Sequence, residues 1–278
     1  MATTRQSADL PATADGTQYH IGLKPGDVAP YILLCGDPGR VQKVASYFQK
    51  KKKPITHREY VTVTGVYKGI PISVVGTGIG PDNIEIALVE LAQIVKNPTL
   101  IRIGTSGGLL KNAELGDLCI SSGAVRLENT STYFVFEGYP AVAHHEVVLA
   151  LIEAADRKKF RYHVGITATT PGFYGAQGRK IPQFPPRQTD ILDQLAQMNV
   201  ANFEMESSTL FTLSQLAGFR SGSVNTLIDN RHKNVFIDSA EQKRAEKECI
   251  EAGLEAFVTL AKMDAQRGKQ KHWIPTGF

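Results

Sequence analysis

From Tyr31 onward the chain alternates short β-rich runs with stretches of helical spacing. The runs are YILLCG, YVTVTGVYKGIPISVVGTG, LIRIG, DLCISSGAVRL, YHVGITATT and RSGSVNTLID, dense in branched and aromatic residues. Between them, Asp82 to Lys96 places Ile84, Leu88, Leu91 and Val95 at three- and four-residue intervals, which predicts a helix with one apolar face and Asp82 as its N-cap. VQKVASYF after the first run, Ser208 to Leu216 and Ala240 to Met263 read as further helices, the last rich in Glu and Lys. This alternation predicts a single α/β domain built on one central mixed sheet flanked by helices. No repeat or low-complexity linker divides it. The expected layout is a flexible N-terminal arm over residues 1–18, a folded domain over 19–263 and a C-terminal tail over 264–278, whose closing HWIPTGF carries aromatics suited to docking.

Composition narrows the class. At 278 residues, 42% hydrophobic and 21% charged, the chain buries a full core without disulfides or structural metal. Lys and Arg outnumber Asp and Glu by 31 to 27, a formal charge of +4 too small and too scattered for a nucleic-acid surface. The one basic run, Lys50 to Lys53, reads as a solvated turn. Cys35, Cys119 and Cys249 form no Cys-x-x-Cys pair and fit a reducing, cytoplasmic setting. No stretch approaches the roughly twenty apolar residues of a membrane span, so no membrane partner is expected. A small anionic molecule is partner enough.

Three segments carry the candidate chemistry. Gly36-Asp37-Pro38-Gly39-Arg40 sits between a strand and a helical pattern, where backbone N–H groups and a helix N-terminus make a seat for phosphate. It lacks the Lys-Ser/Thr of a P-loop, and Gly76-Thr77-Gly78-Ile79-Gly80 has the wrong spacing for a dinucleotide fingerprint, so ATP and NAD are set aside. In Ile101-Arg102-Ile103-Gly104-Thr105-Ser106-Gly107-Gly108 an arginine stands inside an apolar strand, a placement that demands an anion or a carboxylate; Asp117 is a candidate carboxylate. Asn202-Phe203-Glu204-Met205-Glu206 alternates so that Glu204 and Glu206 share a side, suited to sugar hydroxyls, with solvated surface glutamates as the plain alternative.

Taken together, GDPGR, HRE, TGIG, RIGTSG, FYGAQGR and FEMES, in this order, resemble the nucleoside phosphorylase family of trimers and trimers of dimers, and most closely its uridine-cleaving members. The likeness spans about Tyr19 to Ala261 and implies a distorted, barrel-like sheet. It implies phosphate binding by Gly36, Arg40, Arg102 and Thr105, joined from a neighbouring subunit by Arg58, and makes a homodimer the minimal active unit, with hexamers also found in the family. It assigns ribose contacts to His20, Thr105, Glu204, Met205 and Glu206, with His20 again reaching across. It assigns the base to Phe173, Gln177, Arg179, Phe203 and Ile228. A Gln amide matches the adjacent carbonyl and N–H of a pyrimidine, and Arg donates to a carbonyl.

The activity implied is reversible phosphorolysis of uridine, with deoxyuridine or thymidine as further substrates, to uracil and ribose 1-phosphate in pyrimidine salvage. Phosphate is the nucleophile and no cofactor is needed; Arg102, Arg179 and Gln177 carry the catalysis. Two departures stand out. Asp229 occupies a position where uridine-cleaving relatives have an apolar residue and purine-cleaving ones an aspartate that protonates the leaving base, so a purine or broad-specificity phosphorylase with Asp229 as general acid is the alternative; pairing with Arg231 or His232 would instead make Asp229 structural. The loop from Gly80 to Asn83 is one glycine short, at a place where some relatives hold a monovalent cation between subunits; Glu59, Ile79 and Asn83 are the residues to hold one here. A hydrolytic nucleosidase has no use for three phosphate-directed arginines, and a nucleoside sensor would bind without cleaving.

Overall fold

The computed structural model describes residues 7–275; the first six residues of the expected arm and the last three of the tail lie outside the described residues. In chain order the elements are β1 (Tyr31–Cys35), α1 (Arg40–Ala45), β2 (Ile55–His57), β3 (Tyr60–Tyr67), β4 (Ile70–Gly76), α2 (Pro81–Ile94), β5 (Thr99–Gly108) and β6 (Leu118–Arg126). There follow β7 (Ala141–Val142), α3 (His145–Lys158), β8 (Tyr162–Thr169), α4 (Ile191–Gln197), β9 (Val200–Glu204), α5 (Ser207–Leu216), β10 (Arg220–Asn230), β11 (Val235–Phe236) and α6 (Ser239–Arg267). All strands belong to one mixed sheet. Five of them close on themselves: β5 lies parallel to β10, β10 antiparallel to β6, β6 parallel to β8, β8 parallel to β9, and β9 returns antiparallel to β5. Closure removes the exposed edges that an open sheet would carry. From the N-terminal half of β5 the sheet continues outward through β1, β4, β3 and β2.

Strand alternation decides the layers. In β1, Leu33 and Cys35 face a core shared with α1, α3 and α6, where Val41, Leu151 and Phe257 are fully buried. Ile32 and Leu34 face the opposite core, against Ile84, Leu88 and Leu91 of α2 and Leu210 of α5. A strand buried on both faces reads as a continuous apolar run, and YILLC does. The apolar face expected between Asp82 and Lys96 is therefore real, but the cap is not Asp82. Gly80, at φ 107°, precedes Pro81 at the first helical position, and the Asp82 carboxylate takes the Thr130 hydroxyl instead. α6 runs four residues past Met263 because Asp264 and Arg267 join Arg220 and Glu146 in an ion-pair cluster. Helix α3 was not anticipated from spacing.

The N-cap of α3 is His144, whose Nδ1 accepts the Glu146 N–H at 3.3 Å. Only a neutral imidazole accepts there, and burial, followed by the adjacent His145, pushes His144 down to about 4. The unfolded chain takes up this proton at higher pH than the folded one, so the contribution of His144 is complete above about pH 6.5 and fades as pH falls toward 4. Thermal melts between pH 7 and 4 should show a smaller loss of midpoint for His144→Asn, which caps without titrating, than for the parent chain.

Candidate active site

The register of β5 with β1 ends at Arg102, and its register with β9 begins at Gly107. Over the residues between, β5 keeps β10 on one side and, among the described residues, has no strand on the other. Such a divergence of neighbouring strands is where α/β sheets bind ligands, and here a partly open cavity lies.

One end of the cavity is basic. Gly36 and Arg40 come from the turn between β1 and α1, and Arg102, Thr105 and Ser106 from β5. Arg40 is 7% exposed; its Nε pairs with Glu246 Oε1 at 2.7 Å and its Nη1 donates to the Ile103 carbonyl at 3.2 Å. Arg102 is bound through Nη2 to Glu206 and through Nη1 to Asn225 Oδ1, and stands 3.6 Å from Glu204. Asp117 is not its partner: that carboxylate holds Arg161 and His163. Among the described residues Arg102 Nε has no partner. Gly104 is required beside it, since a Cβ there would overlap Arg102 Nη1 and Asn225 Oδ1.

Glu204 and Glu206 are buried rather than solvated, and they do lie together. Glu204 Oε2 accepts the backbone N–H groups of Glu206 and Ser207, both at 2.9 Å, at the start of α5, and its Oε1 takes the Thr169 hydroxyl. Glu206 Oε1 accepts the Gly80 N–H at 2.7 Å. Burial pushes the Glu204 carboxyl up; Arg102 opposes this and the Glu206 carboxylate reinforces it. Met205 lines the cavity between them.

The far end carries aromatics and amides. Phe173, Gln177, Arg179, Phe203, Ile228 and Asp229 all line it. The Arg179 guanidinium lies 3.9 Å from the Phe173 ring centroid, donates from Nε to the Phe173 carbonyl at 3.0 Å and from Nη2 to Asp229 Oδ2 at 2.7 Å. Gln177 is 3% exposed, and its Nε2 donates to Thr170 Oγ1 at 3.2 Å. Asp229 therefore pairs with Arg179, not with Arg231 or His232; His232 bonds the Leu109 carbonyl, and Arg231 Nη2 donates to the Gln177 carbonyl at 3.0 Å. Burial and the Arg179 charge hold Arg231 below the ordinary arginine value.

Four candidates stand outside the cavity lining. Arg58 is exposed, at φ 52°, with its guanidinium 4.8 Å from the Tyr19 ring centroid. His20 Nδ1 lies 2.7 Å from Glu90 Oε1, and His57 Nδ1 bonds the His20 carbonyl. Glu59 and Asn83 flank Gly78, and Asn83 donates to the carbonyl of Ile79, a residue at the cavity mouth. Asn225, Glu246 and Thr170 were missed as supports, and Arg231 was considered only as a partner of Asp229: the first two lie more than a hundred residues from the arginines they hold, while Thr170 and Arg231 sit close to motifs but carry no local mark of the role. His145, Glu146 and His272 are a three-residue group at metal-ligand spacing among the described residues, but Glu146 is already engaged by Arg220, Arg267 and the Trp273 N–H, which docks the tail on its own subunit.

Residues 30–259 match the family described as the Phosphorylase superfamily. The chain belongs to this superfamily. It is 47% identical over 273 residues, covering 97% of this chain and 96% of the relative, to the uridine phosphorylase of Thermococcus kodakarensis. It is 35% identical over 251 residues, covering 87% and 97%, to that of Escherichia coli. A solved structure of Trypanosoma brucei nucleoside phosphorylase, described as showing uridine phosphorylase activity, superposes with a TM-score of 0.83 at 28% identity, covering 90% of this chain and 100% of that one. The closed barrel with its basic notch in β5 is thus the fold of a superfamily member, as the motif order implied. No helix among the described residues is long and apolar enough to cross a membrane.

Proposed function

We infer that this superfamily member catalyses the reversible phosphorolysis of uridine, giving uracil and ribose 1-phosphate. The observation that carries the reading is the juxtaposition in one cavity of Arg40 and Arg102 at one end, the Glu204–Glu206 pair in the middle and Phe173, Gln177 and Arg179 at the other. Phosphate seats against Arg40, Arg102, Thr105 and the Gly36 turn, which line the same end of the cavity. A phosphate oxygen bonds to the anomeric carbon while the bond to the base nitrogen breaks, and the bonding pair leaves with the base. The base site holds two guanidinium groups against one carboxylate, Arg179 and Arg231 against Asp229, so its net positive charge favours a leaving group that gains negative charge. Glu206 and Met205 face the ribose. The alternative of a purine enzyme with Asp229 as general acid is weakened by the Arg179 contact, which occupies Oδ2 as an acceptor.

The exposure of Arg58 and the place of His20 outside the cavity lining support a shared site, in which both reach a neighbouring subunit's cavity and a homodimer, or a hexamer of such dimers, is active. Glu59, Ile79 and Asn83 would hold a monovalent cation at that contact. The folded unit runs from residue 19 through the end of α6 at Arg267, with an arm before it and a tail after it, and the setting is cytoplasmic salvage. Uridine, thymidine, inosine and adenosine, each with and without phosphate, form the deciding assay. Uracil released only when phosphate is present is expected. Release without phosphate indicates a nucleosidase, binding without release a sensor, and hypoxanthine from inosine in preference a purine enzyme.

A further inference from the structure

Asp229 is a charged residue of the cavity to which the uridine reading gives no contact with substrate. It sits on β10 where the ladder with β5 slips by one residue, between Leu227 and Asp229. The slip turns Ile228 and Asp229 both toward the cavity. Opposite Asp229 stands Gly107, and a Cβ there would overlap Asp229 Oδ1. That oxygen is buried against Gly107 and has no hydrogen-bond partner among the described residues. The other, Oδ2, accepts from Arg179 Nη2 at 2.7 Å. One oxygen is thus buried and the other is engaged as an acceptor, which does not suit a proton donor to a base.

Arg179 is otherwise held by the Phe173 carbonyl on Nε, by the Phe173 ring and by a long contact of 3.4 Å to Gln177 Oε1. Nη1 has no partner among the described residues, which leaves it for a base carbonyl. Asp229 is the only charged group paired with this guanidinium among the described residues. A half-satisfied buried carboxylate costs stability, so its contact with Arg179 is the feature that gives it a purpose.

We propose that Asp229 is a positioning residue for recognition of a carbonyl-bearing pyrimidine base: its Oδ2 fixes the Arg179 guanidinium so that Nη1 points to the base. This rests on the uridine reading of the cavity. An aspartate at this position then serves base binding through arginine rather than by proton transfer.

A double-mutant cycle tests it, with kcat and KM for uridine, KM for phosphate and thermal midpoints measured on the full chain. Asp229→Asn and Asp229→Leu are expected to lower kcat/KM for uridine by about tenfold or more, with KM for phosphate unchanged. In an Arg179→Ala background the same substitutions should change kcat/KM by less than about twofold. Asn keeps the shape of Asp, so a loss confined to Leu together with a lower midpoint marks a packing defect and overturns the proposal. Equal losses in both backgrounds, or unchanged uridine kinetics in the Asp229 variants, overturn it as well. Loss of inosine turnover alone on Asp229→Asn makes the residue a general acid and also overturns it. The uridine reading itself fails separately, if the unsubstituted chain releases no uracil with phosphate present.

Discussion

Arg102→Ala is expected to reduce phosphate-dependent release of uracil by at least about a hundredfold, the scale seen when one preorganised charge-stabilising donor is removed. Arg102 answers to three acceptors before any substrate arrives: Glu206, Asn225 and, at 3.6 Å, Glu204. It thereby lets two buried carboxylates lie beside the seat of a phosphate that would otherwise be repelled. Removing the guanidinium leaves Glu204 and Glu206 uncompensated, and a buried charge stripped of its partner costs about 3–5 kcal/mol. The alanine variant is therefore expected to melt lower as well as to lose activity. Arg102→Lys separates the two effects. A lysine keeps a cation between the carboxylates and so should hold the fold, but it lacks the planar fork that reaches Glu206, Asn225 and phosphate together. Its signature is a thermal midpoint near that of the parent with a raised KM for phosphate. Parent-like phosphate kinetics in both variants would remove Arg102 from the phosphate seat.

The alternation of strand and helix that built the fold was plain in the sequence because β1, buried on both faces, reads as an unbroken apolar run, and the other strands stand out as β-rich segments between helical ones. α2 was legible for the complementary reason, one face against the sheet and one in solvent. Helix α3 was not, because it opens on the continuous apolar run Val147 to Ile152, whose periodicity does not tell a helix from a buried strand, and its buried face continues only through Ala154 and Ala155. Strand closure was likewise invisible to periodicity, since which strands neighbour one another is a long-range property; only the family likeness implied a barrel.

The site divided along the same line. Glycine turns and the arginine inside a strand are local irregularities, and Gly36, Arg40 and Arg102 do meet in one cavity. Their supports are distant in sequence and carry no local mark: Glu246 reaches Arg40 from α6, and Asn225 reaches Arg102 from β10. Glu204 and Glu206 show the limit of alternation as a rule. They share a side as expected, but the strand ends at Glu204 and both carboxylates turn inward to meet Arg102, the N-terminus of α5 and the Gly80 loop.

At the base end, Arg179→Ala is expected to lower turnover of uridine by about a hundredfold while KM for phosphate stays within about twofold, because the guanidinium is a donor to the base and lies at the opposite end of the cavity from the phosphate seat. Two consequences distinguish this from a general loss of packing. The Phe173 ring loses the cation that lies 3.9 Å from its centroid, yet it already stands 39% exposed, so its environment changes little in polarity. Asp229, by contrast, is left as a buried carboxylate with no partner on either oxygen, unless Arg231 moves to it from Gln177. Such a rescue would draw Arg231 off the Gln177 carbonyl and loosen the amide that faces the base. Arg179→Lys should then recover stability before it recovers turnover, since a lysine pairs with Asp229 but cannot also donate through a second fixed N–H to a base carbonyl. Steady-state kinetics with uridine at saturating phosphate, beside thermal melts of the same variants, read both effects. Near-normal turnover by Arg179→Ala would take Arg179 out of the base site and with it the strongest argument for a pyrimidine.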